Sequence, residues 1–186
     1  MKNIIILAFI IFMNNNLKAQ TPNIVTEYDT CSHLSQYQGE WIFANGNDTI
    51  RVYLRFHREE YVQNSSHRSV TDYLVGWHER KSGNTIIESN YQHRFINLPY
   101  NMEDFSHNYY SITLNFAKRL NDCFRNAKKL HGFIVDYNQQ RRLQAVSITI
   151  NTTKTSMIWK QQHADNYGGT FSTEMTLPAE FVLIKQ

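Results

Sequence analysis

The 186-residue chain has little of the residue types that mark linkers, disorder and metal sites. It contains three prolines and seven glycines, and no Pro/Gly/Ser-rich stretch divides it. A disordered or linker-divided protein would have more of both residues. His-x-His, His-Glu-x-x-His and Cys-x-x-Cys motifs are missing, and the eight histidines are scattered along the chain. We therefore expect no metal site and no cofactor, and we expect the histidines to lie on the surface.

An excess of charge of one sign is also missing. The chain has 19 Lys and Arg against 16 Asp and Glu, without a polybasic tail or stripe, which excludes a nucleic-acid partner. It contains neither a Gly-x-Ser-x-Gly elbow nor a phosphate-binding loop. The single carboxylates stand near predicted turns, and Asp136 is expected at a strand end rather than in a glycosidase pair. The sequence thus predicts that the protein is not an enzyme.

The one long apolar run lies at the N-terminus. Lys2 precedes ten consecutive apolar residues at 4–13, and the small residue Ala19 follows a polar stretch. This pattern is typical of a secretory signal peptide and is too short for a membrane span, although a retained anchor is the alternative. We predict a signal peptide at 1–19 and a single exported, soluble domain at 20–186, periplasmic or extracellular. Cleavage would lower the net charge from +3 to +1, because Lys2 and Lys18 leave with the peptide.

Two cysteines remain in the mature chain. An exported protein meets an oxidising compartment, so Cys31 and Cys123 are candidates for a disulfide bond. Closing a loop of about 90 residues would contribute roughly 4 to 5 kcal/mol in the loop-entropy model. Two buried free thiols are the alternative.

Alternation of apolar and polar residues dominates the mature chain. The clearest case is the stretch 39–56, where two strands flank an Asn-Gly turn and Ile50, Val52, Leu54 and Phe56 share one face. Further strands are expected at 70–80, 85–91, 109–117, 132–137, 143–150, 155–161, 171–175 and 181–185, with a long loop at 58–69. Eight to ten strands in sequential hairpins predict an all-β, antiparallel up-and-down barrel, with a β-sandwich as the alternative.

The start of the first strand carries a family resemblance. Gly39-Glu40-Trp41 follows a short turn, and this stretch resembles the opening Gly-x-Trp of lipocalin-like (calycin) barrels. The resemblance implies that Gly39 lets the backbone pass closely and that the Trp41 indole packs over the closed end of the barrel. True lipocalins place an arginine from near the last strand on this tryptophan. Here no arginine takes that position, and Lys185 is the nearest basic residue.

A narrower resemblance covers nearly the whole mature chain. The chain is similar to a secreted domain family of Bacteroidota without an assigned function. The shared stretches are Gly39–Trp41, Asn45–Thr49 leading into Val52–Leu54, Gly76–His78, Met157–Lys160 and Leu177–Gln186. This resemblance implies an exported lipocalin-like domain and supplies no catalytic residue.

The function hypotheses follow from the barrel and its aromatic residues. Aromatic residues make up 13% of the chain, and barrels of about eight strands can hold one ligand. The first hypothesis is non-catalytic binding of a small apolar or aromatic-stacking ligand, with tyrosines at 53, 73, 91, 110 and 137 as stacking candidates. The alternative is a cell-envelope interaction or structural module without a pocket. Trp77 and Glu79 share one strand face, which we expect to point outward. The ligand-binding residues and the oligomeric state stay open.

Overall fold

The fold was analysed in a computed structural model, which describes residues 23–27, 29–64, 67–98, 110–115, 128–136, 142–161 and 176–186. It is all-β within these ranges, apart from two 3-10 helices at Leu34–Tyr37 and Tyr91–His93. None of the helices described there has the length and apolar composition needed to span a membrane. The strands are β1 (Asn23–Glu27), β2 (Gly39–Asn45), β3 (Asp48–Asn64), β4 (His67–Ser82), β5 (Thr85–Ser89), β6 (Ile112–Asn115), β7 (Lys129–Asp136), β8 (Arg142–Ile150), β9 (Ser156–Gln161) and β10 (Glu180–Lys185).

Eight of these strands form a closed antiparallel barrel. The ring runs β2-β3-β4-β6-β7-β8-β9-β10 and returns to β2 through the pairs Ile184–Ile42 and Lys185–Trp41. Two strands lie off the ring, and both pair with β4: β1 runs parallel to its beginning and β5 antiparallel to its end. The predicted barrel is confirmed, and the sandwich alternative is not.

The loop predicted at 58–69 is wrong. β3 continues to Asn64 and β4 begins at His67, so the β3–β4 hairpin extends well beyond Gly39, the first residue of β2. Polar residues support this extension because they find partners across the strand pair. Arg58 binds the buried carboxylate of Asp72 through two hydrogen bonds of 2.6 and 2.7 Å. The hydroxyl of Tyr73 donates to Glu59 at 2.9 Å, where burial raises the pKa of Glu59.

Other strand predictions held where the structure describes the residues. The Asn-Gly turn joins β2 to β3, and the hairpin around 81–84 joins β4 to β5. Asp136 is the last residue of β7, as expected of a strand end. The strand predicted at 171–175 lies outside the described residues, as does the predicted signal peptide.

The interior of the barrel is lined by alternate residues of the ring strands. Their side chains form one apolar cluster, in which Trp41 and Trp159 are fully buried and the ring of Trp159 stacks on Phe181 at 5.7 Å. The cluster comprises Leu34, Tyr37, Trp41, Ile50, Val52, Leu54, Leu74, Ile112, Leu114, Leu130, Ile134, Val146, Ile148, Ile150, Met157, Trp159, Leu177, Phe181 and Leu183. Burial of this apolar surface is the main stabilising contribution to the fold.

The 3-10 helix Leu34–Tyr37 closes one end of the barrel, here called the lower end. The indole N–H of Trp41 donates to the Tyr37 carbonyl at 2.8 Å. The Lys185 ammonium lies 5.2 Å from the centre of the Trp41 ring and donates to the Gln36 carbonyl at 3.3 Å. Lys185 therefore takes the position over the tryptophan for which the sequence offered no arginine. Gly39 has a φ of +109°, a conformation that favours glycine.

The extended β3–β4 hairpin holds this helix in place. The Asp29 carboxylate accepts from the backbone N–H groups of His33 at 2.8 Å and Leu34 at 2.6 Å, where the helix begins. The Asp29 N–H in turn donates to Asp72, which Arg58 binds from the other side. Because Asp29 accepts from the start of the helix and is itself bound to Asp72 of β4, the helix is fixed against the sheet.

The segment 176–179 covers the opposite, upper end. Leu177 is buried in the interior cluster, and its carbonyl accepts from the Gln161 amide at 3.1 Å. Arg80 donates to the Thr176 carbonyl, and the Thr176 N–H donates to Asp136 at 2.6 Å. Within the described residues, both ends of the barrel are thus covered, and apolar side chains occupy the space between them.

Cys31 precedes the closing helix and is not a free thiol. Its proposed partner, Cys123, lies outside the described residues, so the pairing stays a prediction. We expect unreduced, unfolded protein to show no reactive thiol in a colorimetric titration. The double substitution of both cysteines by serine is expected to lower the free energy of unfolding by about 2 to 5 kcal/mol. Two reactive thiols without reductant would contradict the bridge.

Candidate functional site

The most distinctive surface lies on the outer wall of the barrel, over β3 and β4. Trp77 pairs with Tyr53 across these strands, and both side chains point away from the interior cluster. The outward orientation predicted for Trp77 and Glu79 is correct. The residues are not solvated, however, because the chain folds back over them. The segment 91–98 packs on this face, and Ile96 and Leu98 cover Trp77, which is fully buried.

Arg55 holds this segment against the wall. Its guanidinium lies 5.0 Å from the Trp77 ring centre and donates to the carbonyls of Ile96 at 2.8 Å and Arg94 at 3.3 Å. Burial lowers the pKa of Arg55 below its ordinary value. A guanidinium that stacks on an aromatic ring and donates in its own plane fixes both the backbone and the strand beneath it.

The result is an aromatic cluster with one exposed ring. The Phe95 ring meets Tyr53 edge-on at 5.7 Å, and the Arg94 guanidinium lies 4.3 Å from the ring centres of both Tyr91 and Phe95. Phe95 is nevertheless 67% exposed, the largest exposure among the large hydrophobic residues described. We call Tyr53, Tyr91, Arg94 and Phe95 the wall cluster.

The deeper part of the wall cluster is anchored to β2. Tyr91 is buried, and burial raises the pKa of the Tyr91 hydroxyl, with the nearby Glu40 carboxylate adding to the shift. Glu40 stands opposite Tyr53 in the β2–β3 pair. The Arg94 Nη1 donates to the Tyr91 carbonyl at 3.1 Å. The two aromatic rings and the Tyr91 carbonyl therefore fix the orientation of the Arg94 guanidinium, and Tyr53 supports the Phe95 ring from the side.

A second polar arrangement lies inside the upper half of the barrel. The His78 Nδ1 is 2.7 Å from the Ser111 hydroxyl, and its Nε2 is 3.3 Å from a Glu88 carboxylate oxygen. Asn90 accepts from the His78 backbone N–H at 2.9 Å. The order Ser–His–Glu is that of a nucleophile, a base and its orienting acid. Ser111 is only 2% exposed, however, so a substrate does not reach its hydroxyl in this conformation.

The expectation of surface histidines is therefore wrong for His78 and for His57. His78 is fully buried between Ser111 and Glu88. His57 is buried on the outer face of β3 against the ring of Tyr73, and burial lowers its pKa. Both lie at strand positions whose partners come from distant parts of the chain, which spacing alone does not reveal. Within the described ranges, no group of three His, Cys, Asp or Glu side chains could hold a metal ion.

Some of the other predicted residues have a structural role, and others belong to the candidate site. Gly39 and Trp41 lie at the closed lower end and contact no part of the wall cluster in the contacts described. Of the stacking candidates, Tyr53 and Tyr91 belong to the wall cluster, and Tyr73 and Tyr110 pack together with Trp77. Tyr137 lies outside the described residues. Arg94 and Phe95 were missed, because they fall between the strands predicted at 85–91 and 109–117, in a stretch without a pattern of its own.

Comparisons with known proteins identify a family for the chain, but no similar curated protein or solved structure. No curated protein and no solved structure is significantly similar to the chain. One family model matches, described as "Family of unknown function (DUF6705)", and the match covers residues 1–186.

Proposed function

The chain belongs along its whole length to this family of unknown function (DUF6705). Because family membership assigns no activity, we propose from the geometry that the protein is a non-catalytic barrel that binds an aromatic-stacking ligand on its outer wall. The observation that carries the proposal is the fixed, exposed ring of Phe95. A phenylalanine side chain that stays in water does not gain the stabilisation of about 1.5 to 3 kcal/mol that its burial would contribute. Holding such a ring rigidly next to an arginine is typical of binding hot spots.

The packing of the interior supports a binding site on the outer wall rather than one in the mouth of the barrel. A ligand inside the barrel would have to displace Leu177 and the aromatic side chains beneath it, which are in contact with one another. A ligand on Phe95 displaces only water. The low entropy cost of using an already ordered ring and guanidinium favours binding there.

Non-catalytic action is supported by the burial of the Ser111–His78–Glu88 arrangement. A serine hydrolase needs a nucleophile that its substrate reaches and donors for the oxyanion. Covalent labelling of Ser111 by a fluorophosphonate probe in the folded protein would contradict this part of the proposal.

Export belongs to the same proposal. The N-terminal charge and apolar run support a signal peptide removed after Ala19 or Gln20, and the bound state of Cys31 is consistent with an oxidising compartment. A bacterial source of the Bacteroidota type follows from the sequence resemblance. Intact mass of the protein recovered from its own cells tests export, because a mass that includes residues 1–19 would contradict it.

The test of wall binding uses amide NMR spectra and a library of soluble aromatic and sugar fragments. We expect hits to shift the amides around 94–96 and Tyr53, and we expect Phe95→Ala to weaken these hits at least about tenfold, the loss of one anchoring aromatic. Ile86→Ala is the matched control, because Ile86 is also exposed, at 56%, and lies on β5 outside the wall cluster. Hits that shift the Trp159 indole instead would locate the ligand in the interior and overturn the proposal.

An envelope interaction module is the second candidate. Ile158 and Val182 stand opposite each other on the outer face of β9 and β10, and Ile184 stands opposite Ile42 on β2. All but Ile42 are exposed. This stripe would bind a partner protein by its apolar surface. In that case Val182→Lys would abolish crosslinking of the chain in its native envelope, whereas wall binding predicts no effect of Val182→Lys on fragment hits at Phe95.

A further inference from the structure

Arg94 differs from the other arginines described on and near the wall, because it has neither a carboxylate partner in the described residues nor the two carbonyl acceptors of Arg55. Arg51 lies 3.8 Å from Glu79, Arg58 binds Asp72, and Arg80 lies 3.4 Å from Asp48. Arg55 is engaged by two carbonyls. In the ranges that the structure describes, no carboxylate lies within ion-pair distance of Arg94.

The guanidinium of Arg94 is nevertheless held in one orientation. Tyr91 and Phe95 each contribute a ring 4.3 Å from it, and one of its five donors is used by the Tyr91 carbonyl at 3.1 Å. Aromatic faces attract the cation but leave the edge of the guanidinium, with its remaining N–H donors, free to bind. Arg94 is partly exposed, so this edge is accessible.

The local charge favours an anion. The outer face around the wall cluster carries four cations and two carboxylates: Arg51, Arg55, Lys81 and Arg94 against Glu40 and Glu79. Glu79 lies 3.1 Å from Lys81 and 3.8 Å from Arg51, and Glu40 stands beside the Tyr91 hydroxyl. A ligand that brings its own carboxylate would therefore meet a local excess of cations and a fixed guanidinium for which the described part of the chain provides no ion-pair partner.

We propose that the ligand of the wall cluster carries a carboxylate, which Arg94 binds in the plane of its guanidinium while an adjacent flat face of the ligand stacks on Phe95. This inference rests on the proposed wall binding and names the chemistry of its ligand. Two sources share that chemistry, an aromatic carboxylate and a sugar acid. Both present a carboxylate next to a face that covers an aromatic ring.

The experiment compares acids with their uncharged counterparts in NMR titrations that follow the Arg94 side-chain Nε–H resonance. The probes are 1-naphthoate against 1-naphthamide and digalacturonate against its methyl ester. We expect each preferred acid to bind at least about tenfold more tightly than its neutral partner, because a bidentate charged pair is lost with the charge. Added salt is expected to weaken the binding of the acid and to leave the binding of the amide unchanged. The naphthoate and digalacturonate titrations distinguish the two sources.

Variants separate the charge from the geometry. Arg94→Gln is expected to abolish the preference for the acid, and Arg94→Lys to restore it only in part, because lysine has no planar fork. Lys160→Gln is the control, since it removes an exposed cation from a different strand, where Lys160 lies 3.0 Å from Glu180. Unchanged far-ultraviolet spectra confirm that the variants fold.

The outcomes distinguish this inference from the proposed function. Equal affinity for acid and amide, with both lost in Phe95→Ala, overturns the carboxylate inference and leaves wall binding intact. If Phe95→Ala leaves the affinity for the probes unchanged, both wall binding and the carboxylate inference are overturned. A preference for the acid that Lys160→Gln reduces as much as Arg94→Gln would show nonspecific charge attraction, which also contradicts the inference.

Discussion

Replacing Gly132 with alanine is expected to leave little or no folded protein. Gly132 lies on β7 opposite Leu114 of β6. A methyl group at this position would overlap the Thr113 carbonyl oxygen and lie 2.8 Å from the Leu114 Cα. These are backbone atoms of a neighbouring strand, so the clash cannot be relieved by turning a side chain. The β6–β7 pair would have to separate, which opens the ring.

The control for Gly132 is Gly46→Ala in the first hairpin turn. A methyl group at Gly46 meets no atom within 4 Å, but its φ of +58° is unfavourable for alanine. That change should cost about 1 to 2 kcal/mol through the backbone alone. Urea unfolding followed by circular dichroism measures both variants. If the Gly132→Ala protein unfolds cooperatively and loses no more free energy of unfolding than Gly46→Ala, the close approach of β6 and β7 is contradicted.

Replacing Trp41 with alanine is expected to lower the free energy of unfolding by about 3 to 5 kcal/mol, the range for deletion of a large buried aromatic ring. The ring is fully buried, receives Lys185 on one face, and donates its N–H to Tyr37. The closed lower end loses its central contact, and the helix Leu34–Tyr37 loses its attachment to β2. Urea unfolding again measures the effect.

Trp41→Phe divides this effect into its parts. It keeps an aromatic ring but leaves the Tyr37 carbonyl without its donor, for which we expect about 1 to 3 kcal/mol. Ile158→Ala serves as the control, since this side chain is 44% exposed on the outer wall and its removal should cost well below the Trp41 effect. A loss for Trp41→Ala no greater than that of Ile158→Ala would show that Trp41 does not hold the lower end.

The sequence predicted the parts of the fold that depend on local pattern. The alternation from Ile50 to Phe56 and the Asn-Gly turn identified the first hairpin, since a half-buried strand imposes a period of two. The polar stretch 58–64 hid a strand. Arg58 and Glu59 find their partners, Asp72 and Tyr73, across β3 and β4, and such polar pairing leaves no apolar alternation to recognise.

The wall cluster was less accessible to sequence reasoning for a different reason. Phe95 looks like any aromatic in an irregular stretch, and its exposure becomes evident only when Arg55 and Trp77 are seen to fix the segment around it. Lys185 was identified from the sequence only as the nearest basic residue to the missing arginine, and the structure places its ammonium on the Trp41 ring, since a lysine ammonium also binds an aromatic face. In both cases the missing information was which distant residues come together in space.

The pairing of β2 with β10 has a consequence for how the chain folds. This pair joins residues 41 and 185, so the ring closes only through a contact between opposite ends of the sequence. Contacts of such high separation form slowly, because the entropy of closing the intervening chain opposes them. Until then β2 and β10 each present an unpaired edge that can bind another copy. We therefore expect refolding to be slow and its yield to fall as protein concentration rises.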